Sequence, residues 1–205
     1  NYLTINDHHS RSINNSLSFQ VDRKLNKNSS LSWINYFTGN NSRKYQNVLT
    51  YLDFVNQTPE ERNFLTNYKS NIQLYSTQFD YQWKKDKFEL ESGVKYSFVK
   101  TNSQLDFSDN ENGQFEYRPE KSNIFDYKEQ NFALYSSLAY NLDKWSFKGG
   151  LRAEMTDLEG VISEPYEINK NNYWSLFPTA YVQYTTENKQ EFGFSYGKRI
   201  SRPSY

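Results

Sequence analysis

The sequence predicts an all-β fold, an antiparallel transmembrane β-barrel segment of about eight long strands in four hairpins. Three observations predict it: apolar and polar residues alternate with a period of two, several strands run to 11 or more residues, and the connections are alternately short and long. A soluble strand averages about 5–6 residues, whereas a tilted strand needs about 9–11 residues to cross a bilayer. Strand length therefore favours a membrane barrel.

The composition agrees with this fold class. Hydrophobic residues make up 36% of the chain and aromatic residues 18%, with a mean hydropathy of −0.97. The chain is too poor in aliphatic residues for a conventional core and too rich in aromatic residues for disorder. No apolar run approaches the ~18 residues of a transmembrane helix, and residues 1–4 lack a signal-peptide pattern, so we expect a mature, processed or partial chain.

Charge and cysteine content exclude further classes. The 24 basic and 24 acidic residues balance to zero, which argues against a nucleic-acid binder. The absence of cysteine from the sequence excludes a disulfide scaffold, a thiolate zinc site and a cysteine nucleophile.

Each predicted strand has one apolar face, which we expect to meet lipid. In chain order these faces are Leu17, Phe19 and Val21; Leu31, Trp33 and Phe37; Tyr75, Thr77, Phe79, Tyr81 and Trp83; Phe88, Leu90, Val94, Tyr96 and Phe98; Phe132, Leu134, Leu138, Tyr140 and Leu142; Trp145, Phe147, Leu151, Ala153 and Met155; and one parity each of 176–184 and 192–200. If the strand register slipped by one residue, Glu89, Glu91 and Lys95 would face lipid. A single basic residue on the lipid face destabilises a barrel by about 2–4 kcal/mol at the bilayer midplane.

Connection lengths form a second pattern. The turns 25–30, 84–87, 141–144 and 185–190 are short, whereas the connections 38–70, 101–131 and 157–173 are long and polar. Outer-membrane barrels have short periplasmic turns and long extracellular loops. Aromatic residues flank both sides, as an interfacial girdle requires: Trp83, Phe88, Trp145, Tyr184 and Phe192 at the turns, and Tyr96, Phe98, Tyr173 and Trp174 at the loops.

One helix of about two turns is predicted inside the first long loop. Thr58 is placed to cap it, Pro59 occupies its first position, and Glu61 supplies the acidic residue three positions after the cap. Phe64 and Leu65 follow as its apolar residues.

The predicted topology makes residues 1–205 a partial barrel domain without a plug. The strand that starts near Ser16 and the strand that ends near Ser201 both place a chain end on the long-loop side. A ninth strand at residues 2–5 would return only one of the two chain ends to the side of the short turns. Small complete barrels are expected to keep both chain ends in the periplasm. The chain is therefore predicted to be an interior block of a larger barrel.

Three sequence stretches carry a family resemblance. Residues 151–154 (Leu-Arg-Ala-Glu), 174–178 (Trp-Ser-Leu-Phe-Pro) and 194–205 (Phe-Ser-Tyr-Gly-Lys-Arg-Ile-Ser-Arg-Pro-Ser-Tyr) resemble the Bacteroidetes-type outer-membrane β-barrel proteins of the TonB-dependent receptor superfamily. The similarity is clearest over residues 123–205. It implies a Gram-negative outer-membrane barrel of about 22 strands, with an N-terminal plug that receives energy from TonB.

The same resemblance implies the partners. They are outer-membrane lipid and lipopolysaccharide, the rest of the barrel with its plug, and TonB through the plug, with a surface lipoprotein or other complex subunits as further candidates. The plug and the TonB box have no counterpart in these residues, so the ligand stays unassigned.

The sequence offers only poor candidates for catalytic or metal-binding residues. His8 and His9 are adjacent, so in a strand they point to opposite faces, and Asp7 alone does not complete a metal site or a serine–histidine–carboxylate site. We place them on the surface at the N-terminus, away from the long strands. Glu89 and Glu91 have the spacing of an acid–base pair, but we expect them in the polar lumen facing Lys95, Lys148 and Arg152.

Other charged groups also have ordinary explanations. Asp106, Asp109 and Glu111, and residues 123–127, match no EF-hand spacing. Lys84, Lys85 and Lys87 are expected in a solvated turn, and Lys198 is expected to face outwards near the upper rim, where lipopolysaccharide phosphates are one candidate contact. We therefore predict no catalytic, cofactor-binding or metal-binding residue, and no cofactor.

The leading hypothesis is a wall segment of a TonB-dependent outer-membrane receptor that takes up an unidentified ligand. The alternative is an outer-membrane barrel with a structural, adhesin or surface-complex role and no active transport, which stable loop contacts with other chains and an inner face without a plug would indicate. The third is a soluble, glycan-binding β-sandwich, which extraction without detergent would reveal. An enzyme ranks last, because no nucleophile and base are placed together.

Overall fold

The structure is a computed structural model that describes residues 2–53 and 60–200. These residues form one antiparallel nine-stranded sheet. Its strands are β1 (Tyr2–Asn26), β2 (Ser29–Leu52), β3 (Glu60–Lys85), β4 (Phe88–Glu111), β5 (Gln114–Tyr117), β6 (Asn123–Leu142), β7 (Trp145–Ser163), β8 (Tyr166–Thr185) and β9 (Glu191–Gly197). Each strand pairs with the next in the chain, except that β5 pairs with β4 alone and β6 therefore lies beside β4.

The alternation predicted from the sequence is confirmed. Trp33 stands opposite Val21 on β1 and Phe79 on β3, and Phe79 stands opposite Val94 on β4. These residues lie on one face of the sheet because paired residues of adjacent strands share a face. The face is exposed, with Leu134 at 55% and Trp174 at 66% of full exposure. Such a continuous exposed apolar band is stable only where lipid covers it.

The sheet has very little internal core. Among the described residues, the buried apolar side chains are those of Val48, Val99, Ala133 and Phe177. This is the outcome that the low aliphatic content predicts for a single-layered wall. One short 3-10 helix lies at Pro119–Lys121, and no helix among the described residues is long and apolar enough to cross a bilayer.

The four short turns lie where the sequence predicts them. They join β1 to β2 at residues 27–28, β3 to β4 at 86–87, β6 to β7 at 143–144, and β8 to β9 at 186–190. Asp86 and Asp143 have φ angles of 52° and 47°, and aspartate tolerates this left-handed region better than most residues. All four turns lie at one end of the strands, as periplasmic turns of a barrel do.

The three long connections are not the loops that the sequence predicts. The range 38–70 is mostly β2 and β3, the range 101–131 contains much of β4 and β6 with β5 between them, and the range 157–173 is mostly β7 and β8. Strands therefore continue well beyond the apolar band. Above the bilayer both faces of a sheet meet water, so a strand there needs no apolar alternation and gives no periodic signal.

The predicted helix is wrong for the described part of its range. Glu60, Glu61, Phe64 and Leu65 belong to β3, where Glu61 pairs with Tyr51 and Phe64 pairs with Val48. Phe64 also stands opposite Asp109 of β4, so ladders on both sides outweigh the local capping pattern. Thr58 and Pro59 lie outside the described residues.

The N-terminal region also differs from the prediction. The expected strand at residues 2–5 and the strand starting near Ser16 are parts of the single strand β1. β1 and β9 are the two edges of the described sheet, and no described strand pairs with their outer sides.

Candidate lumenal site

The second face of the sheet is concave and polar. Residues from seven strands, β1 to β4 and β6 to β8, line one open recess of about 1240 Å³, bordered also by residues 198–200. A sheet can enclose such a volume on one side only if it curves, as a barrel wall does. The residues that line it include Asp80, Glu91, Tyr135 and Arg152, so this face is the lumenal side.

One ion pair spans three neighbouring strands of the lumenal face. Lys148 Nζ on β7 lies 2.7 Å from Glu91 Oε2 on β4, and Ser137 Oγ on the intervening β6 donates to the same oxygen at 3.3 Å. Glu89 instead pairs with Lys84 beside the turn. The lumenal position predicted for both glutamates is confirmed, and Lys148 is confirmed as the partner of one of them.

A second lumenal contact joins β6 to β3 above a glycine of the strand between them. Tyr135 Oη on β6 donates to the Asp80 carboxylate on β3, passing over β4 at Gly93. A Cβ at Gly93 would lie 2.5 Å from Tyr135 Oη and 2.7 Å from Asp80 Oδ1. Only glycine leaves room for this crossing, so Gly93 has a packing role here.

A third group of side chains continues from Tyr135 up the wall. The Arg152 guanidinium carbon lies 5.1 Å from the Tyr135 ring centroid, and Arg152 Nε lies 2.5 Å from Glu154 Oε1. Asn131 Nδ2 then donates to Glu154 Oε2 at 3.2 Å and to Thr156 Oγ1 at 2.8 Å. Asn131, Glu154 and Thr156 are all buried, and buried polar groups are stable when they are paired in this way.

Two carboxylates of the lumenal face are paired with cations. Glu91 is bound by a lysine and Glu154 by an arginine, and a carboxylate held by a cation is a poor general base. A set of internally paired charges instead presents donors and acceptors to a second polar surface without leaving an uncompensated charge when water is excluded.

The histidines lie elsewhere than predicted. His8 and His9 belong to the long strand β1, opposite Gln46 and Tyr45, and not to a separate N-terminal surface segment. His9 Nδ1 lies 3.4 Å from Asp7 Oδ1, and both side chains are exposed. In the part of the chain that the structure describes, no group of three or more potential metal-binding side chains occurs.

The acidic residues of the β4–β5 region are held by cations. Lys121 Nζ lies 2.5 Å from Asp109 Oδ2, and Arg118 lies between Asp109, Glu111 and Glu116. Asp106 accepts from Gln104 Nε2 at 2.8 Å. These carboxylates therefore form ion pairs and hydrogen bonds within the β4–β5 region.

Lys198 directly follows β9, which ends at Gly197. The outward direction predicted for its side chain stays a prediction. Lys198 N donates to Pro178 O at 3.2 Å, and the residue borders the lumenal recess.

Sequence reasoning missed the Asp80–Tyr135–Arg152 group. Asp80 and Tyr135 occupy polar-face positions in the predicted strands, but strand parity does not say which side chains meet across an intervening strand. The available signal was Gly93, because an isolated glycine inside a strand often marks a close approach.

Comparison with solved structures identifies similar folds. The ferric-catecholate import receptor Fiu of E. coli K12, in its closed form, has a TM-score of 0.57 and 10% identity over 92% of this chain and 33% of that chain. The copper transporter OprC has a TM-score of 0.52 and 11% identity over 96% of this chain and 38% of that chain. Identities this low show similarity of fold alone.

The chain spans between 25% and 40% of the length of the first solved structures that it matches. No curated protein matches it. The model of the outer membrane protein beta-barrel family matches residues 5–205. With its exposed apolar band and polar concave face, the chain therefore belongs to the outer membrane protein β-barrel family and is located in the cell outer membrane.

Proposed function

We propose that residues 1–205 form part of the wall of a TonB-dependent outer-membrane receptor of the Bacteroidetes type, which takes up a ligand not yet identified. In this proposal the segment belongs to a larger barrel, contributes no plug and performs no catalysis. The observation that carries the proposal is the concave polar face, with its recess of about 1240 Å³ lined by seven strands.

The charge arrangement of this face suits contact with a folded plug. Glu91 with Lys148, and Arg152 with Glu154, are already paired within the wall. A plug that docks here therefore buries no unpaired charge from the wall, which would otherwise cost several kcal/mol. Tyr135, Asp80 and Asn131 add fixed donors and acceptors that the plug surface can meet.

The similar solved structures support uptake over a passive barrel. Their names describe a ferric-catecholate import receptor and a copper transporter. The outer sides of β1 and β9 lack partners among the described strands, and unpaired backbone cannot face lipid. Both points support a wall completed by further strands of the same protein, and a plug inside it would connect to TonB.

A second candidate function is a barrel that acts as an adhesin or as a subunit of a surface complex. Its supporting observation is the length of β1, β2 and β3, which have 25, 24 and 26 residues. Only about 9–11 residues are needed to cross the bilayer, so much of each strand forms surface outside it. The soluble β-sandwich is wrong, because the described strands form one sheet and the family is an outer-membrane one.

Cysteine labelling of the full-length protein in outer-membrane vesicles tests for the plug. Ser137 and Ser136 are adjacent on β6 and face opposite sides: Ser137 Oγ contacts Glu91, and Ser136 Oγ lies 2.7 Å from Ser92 Oγ on the lipid face. We expect Ser137→Cys to react slowly with a membrane-impermeant maleimide in the intact protein, and rapidly once the plug is deleted. Ser136→Cys should stay unreactive in both. Rapid labelling of Ser137→Cys in the intact protein would contradict the plug.

A separate experiment tests dependence on TonB. The periplasmic part of TonB from the same organism should retain the full-length protein and should lose it when the plug is deleted. If labelling shows a plug but TonB does not bind, the protein is a plugged barrel without this energy source, and the TonB-dependent part of the proposal is overturned.

A further inference from the structure

Strand pairing brings three cations together above the apolar band. Arg11 of β1 stands opposite Arg43 of β2, and Arg43 stands opposite Lys69 of β3. All three side chains are exposed. Residues directly opposite in an antiparallel pair have Cβ atoms about 4.5–5.5 Å apart, and like charges in such positions destabilise the sheet.

A second like-charge pair lies four residues closer to the bilayer along β4. Lys100 of β4 stands opposite Lys128 of β6, and both are exposed. Glu159 follows in the same rung, but Lys170 Nζ already holds it at 2.6 Å. Within residues 2–53 and 60–200, no carboxylate lies within 4 Å of the charged nitrogens of the five cations Arg11, Arg43, Lys69, Lys100 and Lys128, which we call the basic patch.

The basic patch lies on the lipid-facing side of the sheet. Arg11, Arg43 and Lys69 have the same parity as Leu17, Phe37 and Tyr75, each six residues away along its strand, and the register between them is unbroken. Lys100 lies two residues beyond Phe98, and Lys128 lies four residues before Phe132. With a rise of about 3.3 Å per residue along tilted strands, the patch covers a height of about 5–15 Å above the outer aromatic girdle.

Two cations of the lumenal face, Lys148 and Arg152, each have a carboxylate partner within 2.7 Å. On the outward face Lys170 is paired with Glu159. The five cations of the basic patch differ from these three, because they have no carboxylate so close among the described residues. A cationic patch that the chain does not neutralise is complementary to an external anion at that height.

We propose that the basic patch binds the phosphate groups of outer-leaflet lipopolysaccharide. Phosphate carries more than one negative charge and can bridge adjacent cations, and arginine binds it through two parallel hydrogen bonds. The position outside the girdle on the long-hairpin side places the patch in the phosphorylated sugar region of that leaflet. The proposal rests on the outer-membrane location and not on transport.

Removal of two central charges tests the site in the full-length protein. Arg43→Gln/Lys69→Gln should weaken binding of lipopolysaccharide to the delipidated, detergent-solubilised protein about 25-fold, since a surface cation contributes about fivefold. The matched control is Lys44→Gln, because Lys44 is adjacent on β2 but has the opposite parity and lies 5.9 Å from the Tyr68 ring. It should stay within about twofold of wild type. Heat-dependent gel mobility confirms that each variant is a folded barrel.

A comparison of two lipids tests whether phosphate is the group that the basic patch binds. Dephosphorylated lipopolysaccharide should bind wild type as weakly as intact lipopolysaccharide binds the double variant. Inorganic phosphate should compete only at millimolar concentration, since it lacks the rest of the lipid. Equal binding by wild type and the double variant, equal binding of the two lipids, or competition by micromolar phosphate would each overturn the proposal.

Discussion

The two halves of each long strand have the same backbone structure and opposite side-chain chemistry. In β3, the lower half alternates Tyr75, Thr77, Phe79, Tyr81 and Trp83 with polar residues, whereas the upper half, from Glu60 to Gln73, shows no such alternation. Both halves pair fully with β2. The ladder of backbone hydrogen bonds is continuous, and only the surroundings of the side chains change.

Cross-strand polar contacts are added in the upper halves to apolar ones such as the stack of Phe64 on Phe107 at 5.2 Å. Asn102 Nδ2 donates to Asp126 at 2.7 Å, Gln46 Nε2 donates to Asn6 at 3.1 Å, and the Thr4 and Thr50 hydroxyls lie 3.2 Å apart. Side chains that bond across strands support a sheet in water. Within the band, Trp33 stacks on Phe79 at 5.6 Å and faces lipid. The comparison shows that strand formation and membrane crossing are separate properties of this chain.

The largest expected effect is on the isolated block. Residues 1–205 alone, in buffer without detergent, should not form a stable folded monomer, because the apolar band then faces water and the edges of β1 and β9 are open. Far-ultraviolet circular dichroism and gel filtration measure this. The full-length protein in detergent is the control and should give a β spectrum. A folded, detergent-free monomer of the block would contradict the membrane assignment of the band.

The same arginine substitution should lower the free energy of unfolding by very different amounts in the two halves of one strand. Leu138→Arg puts a cation near the middle of the apolar band of β6, whereas Ile124→Arg puts it on the same face of β6 beyond the band. We expect the first to lower the free energy of unfolding by about 2–4 kcal/mol and the second by less than about 1 kcal/mol. Denaturant unfolding of the full-length protein in lipid vesicles measures both. Equal losses would mean that the band ends elsewhere.

The apolar band was predictable from the sequence, whereas the parts of the strands beyond it, which we call the extension, were not. Lipid on one side and water on the other impose a period of two, which locates Trp145–Met155 and its neighbours and the turns at Asp86 and Asp143. Water on both sides imposes no period, so the upper parts of β2, β3 and β7 carry no apolar–polar alternation from which a strand could be predicted. The cap at Thr58 and Pro59 predicted a helix because capping patterns are local, whereas the pairing of Phe64 with Val48 is not.

The lumenal site was predictable only in part. Parity placed Glu91 and Lys148 on the same face, and their ion pair follows from that placement. The contact between Tyr135 and Asp80 depends on register across three strands and on the missing side chain at Gly93. Register is set by turns and pairing of the whole sheet, so sequence parity alone does not give it.

A methyl group at Gly93 should destabilise the wall. In Gly93→Ala the new Cβ would lie 2.5 Å from Tyr135 Oη, so the tyrosine must move and its hydrogen bond to Asp80 is lost, with an expected cost of about 1–3 kcal/mol. Gly149→Ala is the matched control, since a Cβ there meets nothing within 4 Å. Its free energy of unfolding should be unchanged or slightly raised. Similar values for the two variants would show that the lumenal contact contributes nothing to stability.

The smallest expected effect concerns an ion pair in water. A hydrogen bond from Lys170, together with the lysine's charge, holds the pKa of the Glu159 carboxyl below its ordinary value. A carboxyl whose pKa is lower when folded contributes stability above its unfolded pKa, and that contribution is lost as the pH falls through the folded pKa. Lys170→Met should therefore raise the pKa of Glu159, with little change in unfolding at neutral pH, because the pair is exposed.

Carbon-13 chemical shifts of labelled glutamate carboxyls in the full-length protein in detergent micelles measure this titration. Lys100→Met removes the same charge from the same rung without touching Glu159, so it should leave the titration nearly unchanged. An equal rise in the pKa of Glu159 in the two variants would mean that the general charge of the extension, and not the contact with Lys170, sets it. Salt would then screen the summed charge of the extension, and the effect would not depend on individual ion pairs.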